Sequence, residues 1–170
     1  MVNKPPPLTK SNHCLAVEPP PVLTRQRQRD LVGLQVAALY ASLGTCVRRK
    51  VGALITDEQG RPLSVGYNGP PSGRPHCTDV PCPGAGFPSG QGLEECEAIH
   101  AEQNAILHLF DRTRAHTIYV TAFPCHSCIK LLLGTPIRRI VYREAYPHQK
   151  SYIWWTEQGR ELVHIPFGEG

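Results

Sequence analysis

His100-Ala101-Glu102 and Pro124-Cys125-His126-Ser127-Cys128 are the stretches of this chain whose residue types and spacing could do chemistry. A neutral imidazole and two thiolates suit one zinc ion and leave its fourth tetrahedral position for water. Two thiolates and one Zn²⁺ sum to zero formal charge, which leaves the metal acidic enough to bring bound water toward a pKa of about 7. Glu102, two residues from the candidate ligand, is placed as a proton carrier and not as a ligand. A carboxylate in a partly dry pocket beside a metal can both accept a proton and return it. The alternative is a structural zinc knot closed by a fourth protein ligand, which has no need of Glu102 at that offset.

Such a set works only if the chain brings its two halves together. Both fall at expected helix starts, where backbone N–H groups carry partial positive charge and help hold Cys125 and Cys128 as thiolates. Pro124 suits the entry to the second helix, because its missing N–H would have had no intrahelical partner. Upstream, the spacing predicts a helix from Thr24 to about Leu43 with Leu31, Leu34, Ala38 and Leu39 on its apolar face. A hairpin follows, Val51 to Thr56 and Pro62 to Tyr67 around the Asp57-Glu58-Gln59-Gly60 turn. The helix at His100 extends to about Phe110, packing through Ala101, Ala105, Leu107 and Leu109. Thr117 to Ala122 reads as a strand, Cys125 to Leu133 as a helix and Arg139 to Tyr142 as a strand. A helix from about Lys150 to Gln158 and a short strand from Glu161 to Ile165 close the chain. Strands alternating with helices after a hairpin imply a mixed sheet covered by helices.

At 170 residues and 41% apolar, the chain suits one packed domain. No apolar run approaches the roughly 20 residues of a bilayer crossing, and Met1 to Pro21 lacks a cleavable signal pattern. A cytoplasmic protein is expected. Six of the seventeen prolines fall within residues 1–22, read as a flexible Pro-rich arm ahead of a domain over 23–170. The net charge of +4 is mild, and Arg48-Arg49-Lys50 is its densest cluster. That run reads as a solvated loop or, alternatively, as a patch that attracts nucleotide phosphates. Seven cysteines (14, 46, 77, 82, 96, 125 and 128), an odd count with CxxC spacing, favour metal sites over disulfides. Three of them, Cys77, Cys82 and Cys96, lie in a long irregular region after Gly66-Tyr67-Asn68-Gly69. A loop of that length calls for a function or an internal clip.

The pairing of His-x-Glu with Pro-Cys-x-x-Cys is a zinc deaminase signature. With Val51-Gly52-Ala53, Gly66-Tyr67-Asn68-Gly69 and His100-Ala101-Glu102-Gln103-Asn104-Ala105-Ile106, it resembles the deoxycytidylate (dCMP) deaminase branch of the cytidine deaminase-like superfamily, of bacterial and phage type. The resemblance runs from about Leu31 to Ile165. It implies a three-layer α/β/α fold with a mixed five-stranded sheet. It also implies hydrolysis of dCMP to dUMP and ammonia, feeding thymidylate synthesis. Zinc hydroxide would attack C4 of the cytosine while Glu102 moves the water proton to N3 and then to the departing amine. Asn68 would bond the deoxyribose or phosphate, with Ala101, Phe123 and Tyr146 around the base. Gly66, Tyr67 and Gly69 would border an effector site for dCTP as activator and dTTP as inhibitor, with Mg²⁺ accompanying the effector. Cys46, Cys77, Cys82 and Cys96 resemble a second, structural zinc site, with His76 as a rival fourth ligand. A homo-oligomer is implied as well.

Plainer readings stand beside these. Gly66 to Gly69 could be a simple turn, Phe123 a core residue, and Tyr146 a cover for the sheet edge. The 5′-phosphate has three candidate partners, Lys130, Arg74 and Arg49, and the sequence does not choose among them. A deaminase of modified dCMP, of tRNA adenosine or of single-stranded DNA is the rival enzyme. A polynucleotide substrate would call for an electrostatic track that one short basic cluster does not supply, so nucleic acid is not expected as a partner. A two-zinc nucleotide sensor without turnover would have no use for Glu102.

Overall fold

The computed structural model describes residues 23–88, 91–145 and 149–168; the expected arm over 1–22 lies outside them. Helix α1 (Arg25–Ala41) starts at Thr24, whose hydroxyl accepts from the Arg27 N–H at 3.1 Å. There follow β1 (Gly52–Thr56), β2 (Pro62–Tyr67), α2 (Ala101–Leu107), β3 (Thr117–Ala122), α3 (His126–Leu133), β4 (Arg139–Glu144), α4 (Gln149–Thr156) and β5 (Glu161–His164). The sheet runs in the order β2-β1-β3-β4-β5. β1 is antiparallel to both neighbours, and β3, β4 and β5 are parallel. The expected mixed five-stranded sheet is therefore present. Among the described residues no helix is long and apolar enough to cross a membrane.

The alternation of side chains along each strand sorts two cores. Leu54, Tyr119 and Val141 face α1, meeting Leu31, Leu34 and Ala37. Ala53, Ile55, Ile118, Val120 and Ile140 face the other way, against Ala101, Ala105 and Ile106 of α2, Ile129 and Leu132 of α3, and Trp155 of α4. These are the three layers. Because both faces are covered, β1 and β3 are buried along their whole length.

Two glycines set how closely helices approach the sheet. A Cβ on Gly52 would lie 1.9 Å from the Ala37 carbonyl oxygen, and one on Gly66 would lie 2.2 Å from that of Ala101. Gly52 lets α1 down onto one face, and Gly66 lets α2 down onto the other. These are the glycines of the Val-Gly-Ala and Gly-Tyr-Asn-Gly stretches.

Two apolar faces differ from expectation. Ala38 and Leu39 are exposed, Leu39 at 70%, and the buried stripe of α1 is Asp30, Leu31, Gly33, Leu34, Ala37 and Ala41. Helix α2 stops at Leu107, which points outward, while Ile106 packs inward. The stripe of α1 is turned by its acid. Asp30 takes a bidentate pair of hydrogen bonds from Arg139 of β4 at 2.5 and 2.7 Å, and the Tyr119 hydroxyl donates to it at 3.3 Å. Arg139 also pairs with Glu161 on β5. Burial and the neighbouring Asp30 charge push the Tyr119 phenol up to about 12.

A buried ion pair tolerates loss of both partners far better than loss of one. Asp30→Ala should lower unfolding free energy by about 3–5 kcal/mol in urea titrations, by stranding Arg139. Asp30→Leu combined with Arg139→Met should recover much of that loss. Equal destabilisation by the single and double changes would refute this account.

Candidate active site

The first half of the site is set by the start of α2. His100 occupies the N-cap, and its backbone N–H donates to the Gln103 side chain at 2.8 Å, which fixes the entry turn. One residue into the helix, Ala101 is fully buried, and Glu102 is 4% exposed. The Ser64 hydroxyl donates to the Ala105 carbonyl at 2.7 Å and the Asn104 amide to the Tyr67 carbonyl at 2.6 Å, tying α2 to β2.

The second half comes from the end of β3. The strand runs out at Ala122, and the Phe123 N–H donates to the Glu144 carbonyl at 2.9 Å, extending the register with β4. After Pro124, Cys125 is the N-cap of α3 and Cys128 lies within its first turn. The His100 Nδ1 atom sits 3.4 Å from the sulfur of Cys125 and 3.4 Å from that of Cys128. Bond lengths of about 2.3 Å to sulfur and 2.0–2.1 Å to nitrogen give a tetrahedral ion N···S edges of about 3.6 Å. The donor set fits zinc. Among the described residues it is the group of three such side chains whose donor atoms lie mutually within 4.8 Å.

The electrostatics agree with that use. Hydrogen bonding from Cys128, reinforced by His100, holds the Cys125 thiol down to about 4 despite its burial. Cys128 moves the opposite way, well above the ordinary thiol range, because it donates to Cys125 and is buried. The Cys125 contact raises the His100 imidazole. Burial is the main cause that pushes the Glu102 carboxyl up, with the nearby His100 charge opposing it. Without metal, the two thiols and the imidazole thus share protons that an ion would displace.

A cavity of about 100 Å³ opens on this group, with Ala101, Glu102, Phe123 and Asn68 in its wall. The Phe123 ring is tilted against Tyr142 at 4.9 Å between centroids. The Asn68 amide is engaged with backbone, accepting from Val51 N–H at 2.8 Å and donating to the Arg49 carbonyl at 2.7 Å. One amide hydrogen remains for a ligand. Tyr146 lies outside the described residues. Gly66, Tyr67 and Gly69 line a different cavity, of about 610 Å³, together with Asn104.

Cys14 lies outside the described residues, and the other four cysteines are drawn toward one region without forming a complete cage. Cys77 and Cys82 place their sulfurs 3.7 Å apart, while Cys46 and Cys96 line the cavity beside His100. His76 is exposed and lines the second cavity. Of the phosphate candidates, Arg74 pairs with Glu97, Lys130 is exposed on α3, and Arg49 lines the cavity but meets the Glu144 carboxylate. Arg48 also stands in that wall. It was legible only as one of three consecutive cations.

A low thiol pKa makes Cys125 the reactive member of the pair. In the chelator-stripped protein, iodoacetamide at about pH 6 should alkylate Cys125 well ahead of Cys128, by peptide mass mapping, and added zinc should block it. Labelling of both at equal rates, or labelling indifferent to zinc, would contradict this arrangement.

Comparison with known proteins agrees with the geometry. The model of the cytidine and deoxycytidylate deaminase zinc-binding region matches residues 27–144. A deoxycytidylate deaminase of Mycobacterium phage D29 is 37% identical over 116 residues, covering 64% of this chain and 89% of the relative. The deoxycytidylate deaminase of Saccharomyces cerevisiae is 34% identical over 119 residues, 69% of this chain, which spans 38% of the yeast protein. In three dimensions the chain is similar to the dCMP deaminase of cyanophage S-TIM5, solved in complex with dCMP and dUMP. That match has a TM-score of 0.64 at 21% identity and covers 85% of this chain and 100% of that one, a likeness of fold. The family match covers both halves of the zinc-fitting triangle and the hairpin beside them, and on that ground the chain belongs to the cytidine and deoxycytidylate deaminase family.

Proposed function

We propose that this chain is a cytoplasmic zinc-dependent deaminase that hydrolyses dCMP to dUMP and ammonia and so supplies thymidylate synthesis. The observation that carries the reading is Glu102: a buried carboxylate two residues beyond His100 of the His100–Cys125–Cys128 triangle, in the wall of the cavity. The similarity to proteins known as deoxycytidylate deaminases supplies the substrate class.

His100, Cys125 and Cys128 would hold the zinc, which when bound supplies a water made acidic at neutral pH. Glu102 accepts a proton as water adds to C4 and delivers it to ring N3, then serves the departing amine. Its burial keeps that proton out of bulk solvent and suits a group that must give as well as take. Phe123 and Ala101 shape an apolar wall for the base, and Asn68 offers its remaining amide hydrogen to the sugar or phosphate. Residues 23–170 form the catalytic domain, with 1–22 as an appended arm.

Three further assignments belong to the same reading. Cys46, Cys77, Cys82 and Cys96 close on a second, structural zinc, drawing in the insert that carries three of them. Hydrogen bonding from the Glu97 backbone already holds the Cys82 thiol below its ordinary range. Gly66, Tyr67 and Gly69 border an effector site for dCTP or dTTP with Mg²⁺, in the cavity on the far side of β2. The functional form is a homo-oligomer.

The direct test is ammonia release with loss of the cytosine absorbance band, for dCMP, CMP, deoxycytidine, dCTP and 5-methyl-dCMP, each with and without dCTP or dTTP. Turnover centred on dCMP is expected; silence across the panel in zinc-loaded protein would refute the reading. Glu102→Gln should retain zinc and lower turnover by about 10²- to 10⁴-fold. The same change should stabilise the metal-free chain, because a buried carboxyl with a raised folded pKa subtracts stability once ionised. That gain is expected at neutral pH and should vanish below about pH 4, where the unfolded carboxyl is also protonated.

A further inference from the structure

Two arginines stand in the wall of the catalytic cavity, and the chain treats them differently. Arg49 directs its guanidinium at the Glu144 carboxylate, so its charge is matched internally. Arg48 has no carboxylate partner among the described residues. Its Nη2 donates to two backbone carbonyls of the cysteine-bearing insert, Pro88 at 2.5 Å and Gln91 at 2.7 Å. Its Nη1 is shielded from solvent and meets no acceptor.

A buried donor without an acceptor is costly, more so on a charged group, and such orphans are uncommon. Here the orphan belongs to a planar fork whose geometry suits phosphate oxygens. The backbone beside it is fixed, because Asn68 bonds to both Arg49 and Val51. Size adds a second constraint. At about 100 Å³ the cavity is well under the roughly 300 Å³ of an ordinary ligand pocket, and Leu93 and Cys96 of the insert form one wall. Arg48 and these insert residues share one cavity wall, so a ligand that engages the guanidinium also meets the insert.

We propose that Arg48 binds the phosphate of the nucleotide substrate through Nη1 while Nη2 keeps the insert, so that a phosphorylated ligand orders one wall of its own site. This rests on the cytosine-nucleotide reading above. It makes Arg48 a specificity-determining residue, separating nucleotide from nucleoside, and gives the insert a task beyond clipping itself together.

The test uses the zinc-loaded full chain and the product pair dUMP and deoxyuridine, which bind without turning over. Calorimetry should show that Arg48→Gln weakens dUMP by about 10- to 100-fold, as expected for a lost charge-assisted hydrogen bond, and deoxyuridine by less than about threefold. Arg48→Lys should restore part of the phosphate affinity. By hydrogen exchange, dUMP should protect residues 91–98 in the wild-type chain and not in Arg48→Gln. Equal weakening of both ligands, or protection that survives in Arg48→Gln, would reduce Arg48 to a staple for the insert and overturn the proposal. So would a wild-type chain that binds dUMP no more tightly than deoxyuridine. A wild-type chain that prefers dUMP but never turns over dCMP would sink the deaminase reading while leaving the phosphate contact standing.

Discussion

The separation between α2 and the sheet governs the rest of this structure. His100 and Glu102 are carried on the first turn of a seven-residue helix, too short to hold a position by its own hydrogen bonding. Its place is imposed from below by β2. Gly66 removes the side chain that would stand against the Ala101 carbonyl, and Ser64 and Asn104 bond strand to helix on either side of that contact. Any residue larger than glycine would lift the helix by an ångström or more and carry His100 away from two sulfurs it must meet at 3.4 Å. The glycine is a distance setting.

The opposite face repeats the device with Gly52 under α1 and secures it with charge. Asp30, Arg139 and Glu161 link helix α1, the fourth strand and the fifth across the end of the sheet away from the metal ligands. The two ends of the sheet thus do different work. One carries an ion network whose members satisfy each other, and the other carries the Glu102 carboxyl, the paired thiols and an Arg48 whose Nη1 has no acceptor. Stability is concentrated where nothing reacts.

Much of this was legible in the sequence because local signals and global fold agree. Among the described residues the four α-helices and five strands appear where periodicity and turn residues put them, with ends shifted by a few residues, and the donor triangle follows from a His-x-Glu and a Pro-Cys-x-x-Cys at helix starts. The failures are instructive in physical terms. Helix α1 has two usable apolar stripes, and the buried one is chosen by an acid whose partner lies 109 residues away. Ile106 falls four residues after Glu102 and shares the buried stripe of Ala101, Glu102 and Ala105, which leaves Leu107 on the outer face. Arg48 reads like its neighbours, since three adjacent cations look alike whether solvated or folded under a loop. The Gly- and Pro-rich insert has no period to read.

The segment from His100 to Leu133 contains the three donor residues, Glu102 and the strand between them in one continuous run of chain. Ala101 and Phe123 of that run form part of the cavity wall, and the rest comes from around the hairpin and from the insert that reaches back to Arg48. Much of the wall is therefore written apart from the triangle it surrounds. A change of length or composition between Pro70 and Ala98 would redraw that part of the wall while the three donor atoms stay on their own helix starts, so the doorway and the triangle vary separately.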